Sequence, residues 1–120
     1  MNQWNIAIKA GETLRETVKI KQNDGSPVDI TGATAVCQIR KTAKSADVLA
    51  SPTITIIDGA NGEMQVLLAA ATTGLMPTTG ITCAQEDSWV WDAFITYLDT
   101  SVECLWDGAF KISPRVTQNE

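Results

Sequence analysis

The sequence predicts an all-β fold, an antiparallel β-sandwich of about seven to eight strands with at most one short helix. Apolar residues recur at alternate positions in short runs. Gly-, Asn- and Asp-rich breaks separate those runs at roughly ten-residue spacing. Only residues 69–75 are rich in helix-forming alanine. The densest stretch is 88–112, SWVWDAFITYLDTSVECLWDGAFKI, where two runs, 89–98 and 102–112, flank Asp99-Thr100-Ser101. β-Branched and aromatic residues fill both runs, and the polar break suits a short hairpin loop. In the first run Trp89, Trp91, Ala93, Ile95 and Tyr97 share one face. Val90, Phe94 and Leu98 fall on the other, interrupted by Asp92 and Thr96. A strand apolar on both faces is expected to lie centrally in its sheet, with cover on both sides. In the second run Val102, Cys104, Trp106, Phe110 and Ile112 are expected inward, against Glu103, Asp107 and Lys111 outward.

The other elements follow in chain order. Trp4, Ile6 and Ile8 alternate with Asn5 and Ala7, predicting a short N-terminal strand or arm within residues 1–9. Residues 13–22 predict a longer strand with Leu14, Val18 and Ile20 inward and Arg15, Thr17, Lys19 and Lys21 outward. Glu16 falls on the apolar side of this strand, which places it near a strand end or beside a partner. Asn23-Asp24-Gly25-Ser26-Pro27 is a turn signal, because Asp and Gly tolerate the positive φ of tight turns. Residues 33–41 form the next strand, with Ala35, Cys37 and Ile39 inward. The small, polar stretch 42–52 reads as a loop, with room for one helical turn. Residues 53–58, the turn Gly59-Ala60-Asn61-Gly62 and residues 63–69 read as a hairpin with Ile54, Ile56, Met64, Val66 and Leu68 inward. Residues 69–75 predict a turn or two of helix closed by Gly74. Residues 76–87 form a long loop, of a kind often functional or ordered by a partner. Residues 113–120 read as a short polar tail. The size and strand spacing match an immunoglobulin-like sandwich, with residues 1–120 as a single domain.

Composition narrows the function classes. An apolar fraction of 44% and a charged fraction of 19% are those of a globular protein with one proper core. No apolar run approaches the ~20 residues of a membrane span, and the N-terminus lacks the pattern of a secretory signal, so folding in a cytoplasm is expected. The net charge of −5 is uneven. Residues 1–60 hold seven Lys/Arg against six Asp/Glu, a net of +1; residues 61–120 hold two against eight, a net of −6. An acidic half repels phosphate backbones, so no nucleic-acid partner is expected. The imbalance reads as a solvated acidic surface or as one that meets a basic partner.

No catalytic motif emerges. The chain has no histidine, so Ser-His-Asp and Cys-His arrangements within it are impossible. Cys37, Cys83 and Cys104 are scattered and read as buried free thiols rather than metal ligands. Among aromatic neighbours Asp92 has the surroundings of a raised-pKa general acid, but a lone strand Asp more often anchors backbone or faces a sheet edge. Asp99, Glu103 and Asp107 alternate along the hairpin. Calcium needs six or more oxygens, so a solvated strand face is the simpler reading. Trp89, Trp91 and Trp106 read as packing residues before they read as platforms for sugar rings. Trp4, in a terminal strand, reads as an exposed interface anchor, joined by Ile6 and Ile8 and, from the long loop, by Met76, Pro77 and Ile81.

An ordered set of motifs resembles a group of small virion modules of tailed bacteriophages. It runs from Gly11-Glu12-Thr13, through Asp24-Gly25-Ser26-Pro27 and Thr31-Gly32, to Trp89-Val90-Trp91-Asp92, Gly108 and Val116-Thr117. The first part is similar to the N-terminal β-sandwich of phage baseplate upper proteins. The set covers residues 10–117 and departs from the family at Trp89, where tyrosine is usual, and in the extended loop 77–87. The resemblance implies a non-enzymatic virion structural protein, made in the bacterial host's cytoplasm and located in the particle. It would act as a connector in the tail or baseplate that attaches fibres. Its partners would be other virion proteins and further copies in a symmetric homo-oligomer, with no cofactor, metal, membrane or nucleic acid. A capsid decoration or cement protein is the alternative within this class, and a carbohydrate-binding module the alternative outside it.

Overall fold

A computed structural model describes residues 2–116; residues 117–120 of the expected tail, with Thr117 of the closing motif, lie outside the described residues. The chain runs β1 (Asn2–Gln3), β2 (Ile6–Lys9), β3 (Leu14–Lys19), β4 (Thr34–Arg40), β5 (Thr53–Asp58), β6 (Glu63–Leu68), α1 (Ala70–Thr73), β7 (Asp87–Thr96) and β8 (Val102–Ser113). Two sheets pack face to face as a β-sandwich. One has the order β8-β7-β4, with β1 and β2 both on the outer side of β8; the other has the order β3-β6-β5. Lettered B to G from β3 onward, the long strands divide into B-E-D and C-F-G, the immunoglobulin arrangement.

The alternation read from the sequence sets the register. Leu14, Val18, Met64, Val66 and Leu68 face the core from one sheet, and Cys37, Ile39, Trp91, Ala93, Ile95, Trp106, Phe110 and Ile112 face it from the other. Each of these side chains, once fully buried, contributes about 1.5–3 kcal/mol of transfer free energy if it is the size of Val or larger. β7 lies centrally, between β4 and β8. Glu16, on edge strand β3 opposite Val66, keeps its carboxylate exposed, so the edge position rather than a partner resolves its place in the pattern.

The N-terminal strand differs from expectation. It divides at Trp4-Asn5, and both pieces pair parallel with β8, from Asn2 opposite Trp106 to Lys9 opposite Ser113. Trp4 is half-buried, its ring centroid 4.9 Å from those of Trp91 and Trp106. A Cβ on Gly108 would run into the Trp4 carbonyl, so glycine there admits the crossing backbone. Asn5 Oδ1 accepts the Ala109 N–H at 2.9 Å where the strand is interrupted.

The second difference is a β-bulge. Ala93 pairs with Trp106 but Phe94 pairs with Cys104, leaving Leu105 as an extra residue on β8. The extra residue reverses the facing of everything before it. Val102 and Cys104, expected inward, therefore lie on the outer face, and half-buried Leu105 packs toward the core.

Loops and turns are held locally. The Asp24 carboxylate accepts the Ser26 N–H and hydroxyl at 2.9 and 2.6 Å, which holds its pKa below the usual range. Asp99 accepts the same pair of bonds from Ser101 in the β7–β8 loop. Residues 42–52 form turns rather than a helical turn, and Ala50 returns to pair with Ile39 at the β4 edge. The helix α1 is one turn long. Gly74 is its C-cap, as expected, but with φ −66° the cap is right-handed and not the left-handed form. Buried Thr73 ties α1 to the β2–β3 connection. Its hydroxyl donates to the Glu12 carbonyl at 2.6 Å and accepts the Gly11 N–H at 3.1 Å. Thr73→Val keeps the volume but leaves both backbone groups without that partner. The expected loss is about 1–3 kcal/mol, measured by urea unfolding; an unchanged midpoint would show that neither bond stabilises the fold.

Candidate functional site

Strand alternation gives each sheet an outer face, and the two outer faces differ in chemistry. On β3-β6-β5, Arg15, Thr17 and Lys19 lie beside Leu67, Gln65 and Glu63, and Lys19 pairs with Glu63 at 3.2 Å. This surface is mostly polar, with Ile57 exposed at its β5 end, and where Asp58 also faces Glu63 the Lys19 ammonium offsets the like charges.

On β4-β7-β8 the register builds three rows. Val36, Phe94 and Cys104 form one; Gln38, Asp92 and Asp107 form the next; Arg40, Val90 and Ala109 form the third. Val102 adds to the apolar end. Val36 is 59% exposed, Val102 58%, Phe94 43% and Val90 37%. The expectation that β7 is covered on both faces is therefore corrected: no further sheet lies over its second face among the described residues, and Phe94 and Val90 stay partly exposed there. An open groove of about 680 Å³ runs across these rows, bounded by Gln3, Val36, Arg40, Phe94 and Asp107 among others. The bulge at Leu105 helps create this surface, since without it Val102 and Cys104 would turn inward.

The middle row places two carboxylates directly opposite each other on neighbouring strands. Among the described residues, neither Asp92 nor Asp107 has an ion pair or a side-chain hydrogen bond. The nearest cation, Arg40, is engaged elsewhere. Its Nη1 donates to the Ser45 and Ala46 carbonyls at 2.7 and 3.1 Å, and its Nη2 donates to Gln38 Oε1 at 2.9 Å. Partial burial raises the Asp92 pKa, the Asp107 charge raises it further, and Arg40 opposes both. Burial, with the Asp92 charge, pushes the Cys37 thiol up to about 12, and burial with both carboxylates raises that of Cys104. These are protonated thiols without nucleophilic character.

The residues expected at an interface lie in two different settings. Trp4, Ile6 and Ile8 are half-buried against the sandwich's own core, so Trp4 is not an exposed anchor. Met76 is buried in that core at 5% exposure, whereas Pro77 is exposed and Ile81 is 92% exposed. The loop carrying them is ordered by its own contacts. Thr79 donates to Asp87, Gln85 Oε1 accepts the Ile81 and Thr82 N–H groups, and Lys9 Nζ donates to the Cys83 carbonyl. Cys83 is exposed rather than buried. The Asp99, Glu103 and Asp107 carboxylates do not converge. Asp99 serves its loop, Glu103 accepts the Tyr97 hydroxyl at 3.0 Å, and Asp107 lies across from Asp92. The described residues contain no group of three His, Cys, Asp or Glu placed to hold a metal ion. Trp91 and Trp106 are buried and Trp89 half-buried, which leaves no open platform of tryptophan faces for a sugar. Sequence reasoning missed the outer face as a unit. Its signal was Val90 and Phe94 flanking Asp92, which reads equally as a covered strand.

No protein-family model matches the chain, and no curated protein matches it.

The carboxylate pair has a measurable cost. Because the Asp92 pKa is raised in the folded state, its ionisation opposes folding. That part of the stability is fully present below the ordinary carboxylate pKa and is lost as pH rises through the raised value. Asp107→Asn is expected to return Asp92 toward its usual range and to stabilise the protein at neutral pH by about 0.2–1 kcal/mol. The gain should vanish in acid, where Asp92 is protonated. Carboxyl NMR titration with urea unfolding at both pH values measures this, and destabilisation at neutral pH would show that Asp107 has a favourable partner.

Proposed function

We propose that the protein is a non-enzymatic structural component of a tailed phage particle that works by contact, as a connector in the tail or baseplate. The observation that carries the contact reading is the outer face of β4-β7-β8, where Val36, Val90, Phe94 and Val102 are exposed, set against the mostly polar outer face of the other sheet, where Ile57 is exposed. Side chains of that size, left in water on one contiguous face, have a gain in free energy available on docking. The phage assignment is supported by the ordered motif set that runs through most of the chain. The docking element is then the sheet face rather than the N-terminal strand, whose apolar side is already engaged with β8. Symmetric copies within the particle fit a small module that acts through one face.

The test uses particles purified from cells that encode the protein, labelled with an antibody to it and viewed by immunogold electron microscopy. Label at the tail tip or baseplate is the expected outcome. Label around the head would transfer the protein to the decoration class, and unlabelled particles would refute a virion role. A Val36→Thr, Phe94→Ser double variant should fold, since both positions are exposed and no charge is added, and should fail to enter particles. Normal incorporation would exclude this face as the point of contact.

A further inference from the structure

The contact reading above leaves open what the face accepts, and the register of β4-β7-β8 narrows it. A surface selected only to be wet would not set Asp92 opposite Asp107 between the apolar row Val36, Phe94 and Cys104 and exposed Val90. Like charges directly opposite in a sheet oppose folding, and here no described cation forms an ion pair with either carboxylate; Arg40 only partly offsets Asp92 while bonded to Gln38, Ser45 and Ala46. Local conflicts of this kind concentrate where a structure is used. We propose that this face docks a partner polypeptide that presents an arginine flanked by apolar side chains, with the guanidinium seated across Asp92 and Asp107. The inference rests on the contact reading but not on the identity of the particle.

Geometry favours arginine. The two carboxylates belong to facing residues of adjacent strands, and a planar fork with five donors reaches both acceptors where an ammonium is a single point charge. Phe94 follows two residues after Asp92 on the same face and offers its ring to the guanidinium plane. Val36 and Phe94 on one side, and Val90 on the other, provide apolar contact for the flanking side chains. Two carboxylates alone do not satisfy a calcium ion. A second copy on a two-fold axis is disfavoured, because it would bring two more carboxylates toward the first two while Arg40 stays occupied by Gln38, Ser45 and Ala46. The half of the chain that supplies β7 and β8 is also the acidic one.

The experiment is a titration of the full-length, nitrogen-15-labelled protein with the peptide acetyl-Gly-Leu-Thr-Arg-Thr-Leu-Gly-amide. A second titration uses the same peptide with citrulline, the neutral isostere, in place of arginine. The expected result is a saturable set of amide shifts confined to β4, β7 and β8, weakened about tenfold or more by citrulline, as loss of a charge-assisted contact requires. Raised salt should weaken it further. The Asp92→Asn, Asp107→Asn double variant keeps shape while removing both charges, and it should abolish the difference between the peptides. An unchanged pattern of amide dispersion verifies its fold. Phe94→Ser, with both carboxylates kept, should weaken the arginine peptide as well. Equal binding of the two peptides, shifts on the β3-β6-β5 sheet, or no shift at millimolar peptide would each overturn the proposal. So would light scattering that shows a dimer closed over this face. Since the titration needs no particle, failure here leaves the immunogold result standing, and the reverse also holds.

Discussion

One hydrogen bond and the aromatic packing around it hold the N-terminal strand in place. The indole N–H of Trp91, on central strand β7, donates to the carbonyl of Trp4 at 2.7 Å. A buried indole gains by finding an acceptor for its single donor, and Trp91 does so where the buried donors of Trp89 and Trp106 have no partner among the described residues. The carbonyl is free to serve because Asn5 Oδ1 accepts the Ala109 N–H in its place, while the Trp4 N–H still donates to the Asp107 carbonyl at 2.8 Å. Trp4 in turn packs its ring on Trp91 and Trp106, and Trp91 packs edge-on against Phe110 at 5.3 Å. Gly108 makes the approach possible by having no side chain where the chain crosses. A short strand with no hairpin partner is thereby fixed to the far side of the same sheet.

The parts of the fold that depend on neighbours in sequence were the legible ones. Alternation and turn chemistry placed β4, β5 and β6 to within a residue or so, and the polar break at Asp99 located the β7–β8 loop. Two differences arose where register intervenes. Alternation assumes an unbroken ladder, so one extra residue at Leu105 was enough to reverse Val102 and Cys104. Trp4 was misplaced because its parallel pairing with β8 joins residues about a hundred positions apart, which no local pattern records. Met76 was read with its loop as surface, although the loop turns that side chain into the core. For the outer face, the residues were visible and their setting was not. Apolar side chains on both sides of a strand look the same whether the second side lies under another layer or in water.

The two outer faces show how one fold separates stability from contact. The sandwich draws its burial from the inner faces, which are apolar except at edges such as Glu16 on β3. The outer face of β3-β6-β5 mostly follows the rule for a solvated sheet, with Lys19 opposite Glu63 offsetting Asp58 and with Ile57 as its exposed large apolar side chain. The outer face of β4-β7-β8 breaks the rule twice, with exposed aromatic and branched side chains and with carboxylates opposite each other. Neither departure helps the chain to fold. Both sit on the sheet whose central hairpin is tied most firmly into the core, so the scaffold tolerates them. A rigid platform also spares a docking partner the entropy of ordering it.

Parallel pairing of the N-terminal strand with β8 also gives the domain a mechanical direction. Ile6 opposite Phe110 through Lys9 opposite Ser113 run the same way, so the chain enters at one end of this pair and leaves at the other. Tension applied at residue 2 and at residue 113 pulls the two strands past each other. Every backbone bond between them is then loaded at once, in shear, whereas a hairpin pulled from its open end would give way one bond at a time. The Trp4 ring, packed on both Trp91 and Trp106, would have to leave those contacts for the strands to slide. A domain linked through these two ends would resist axial force well beyond what its equilibrium stability suggests.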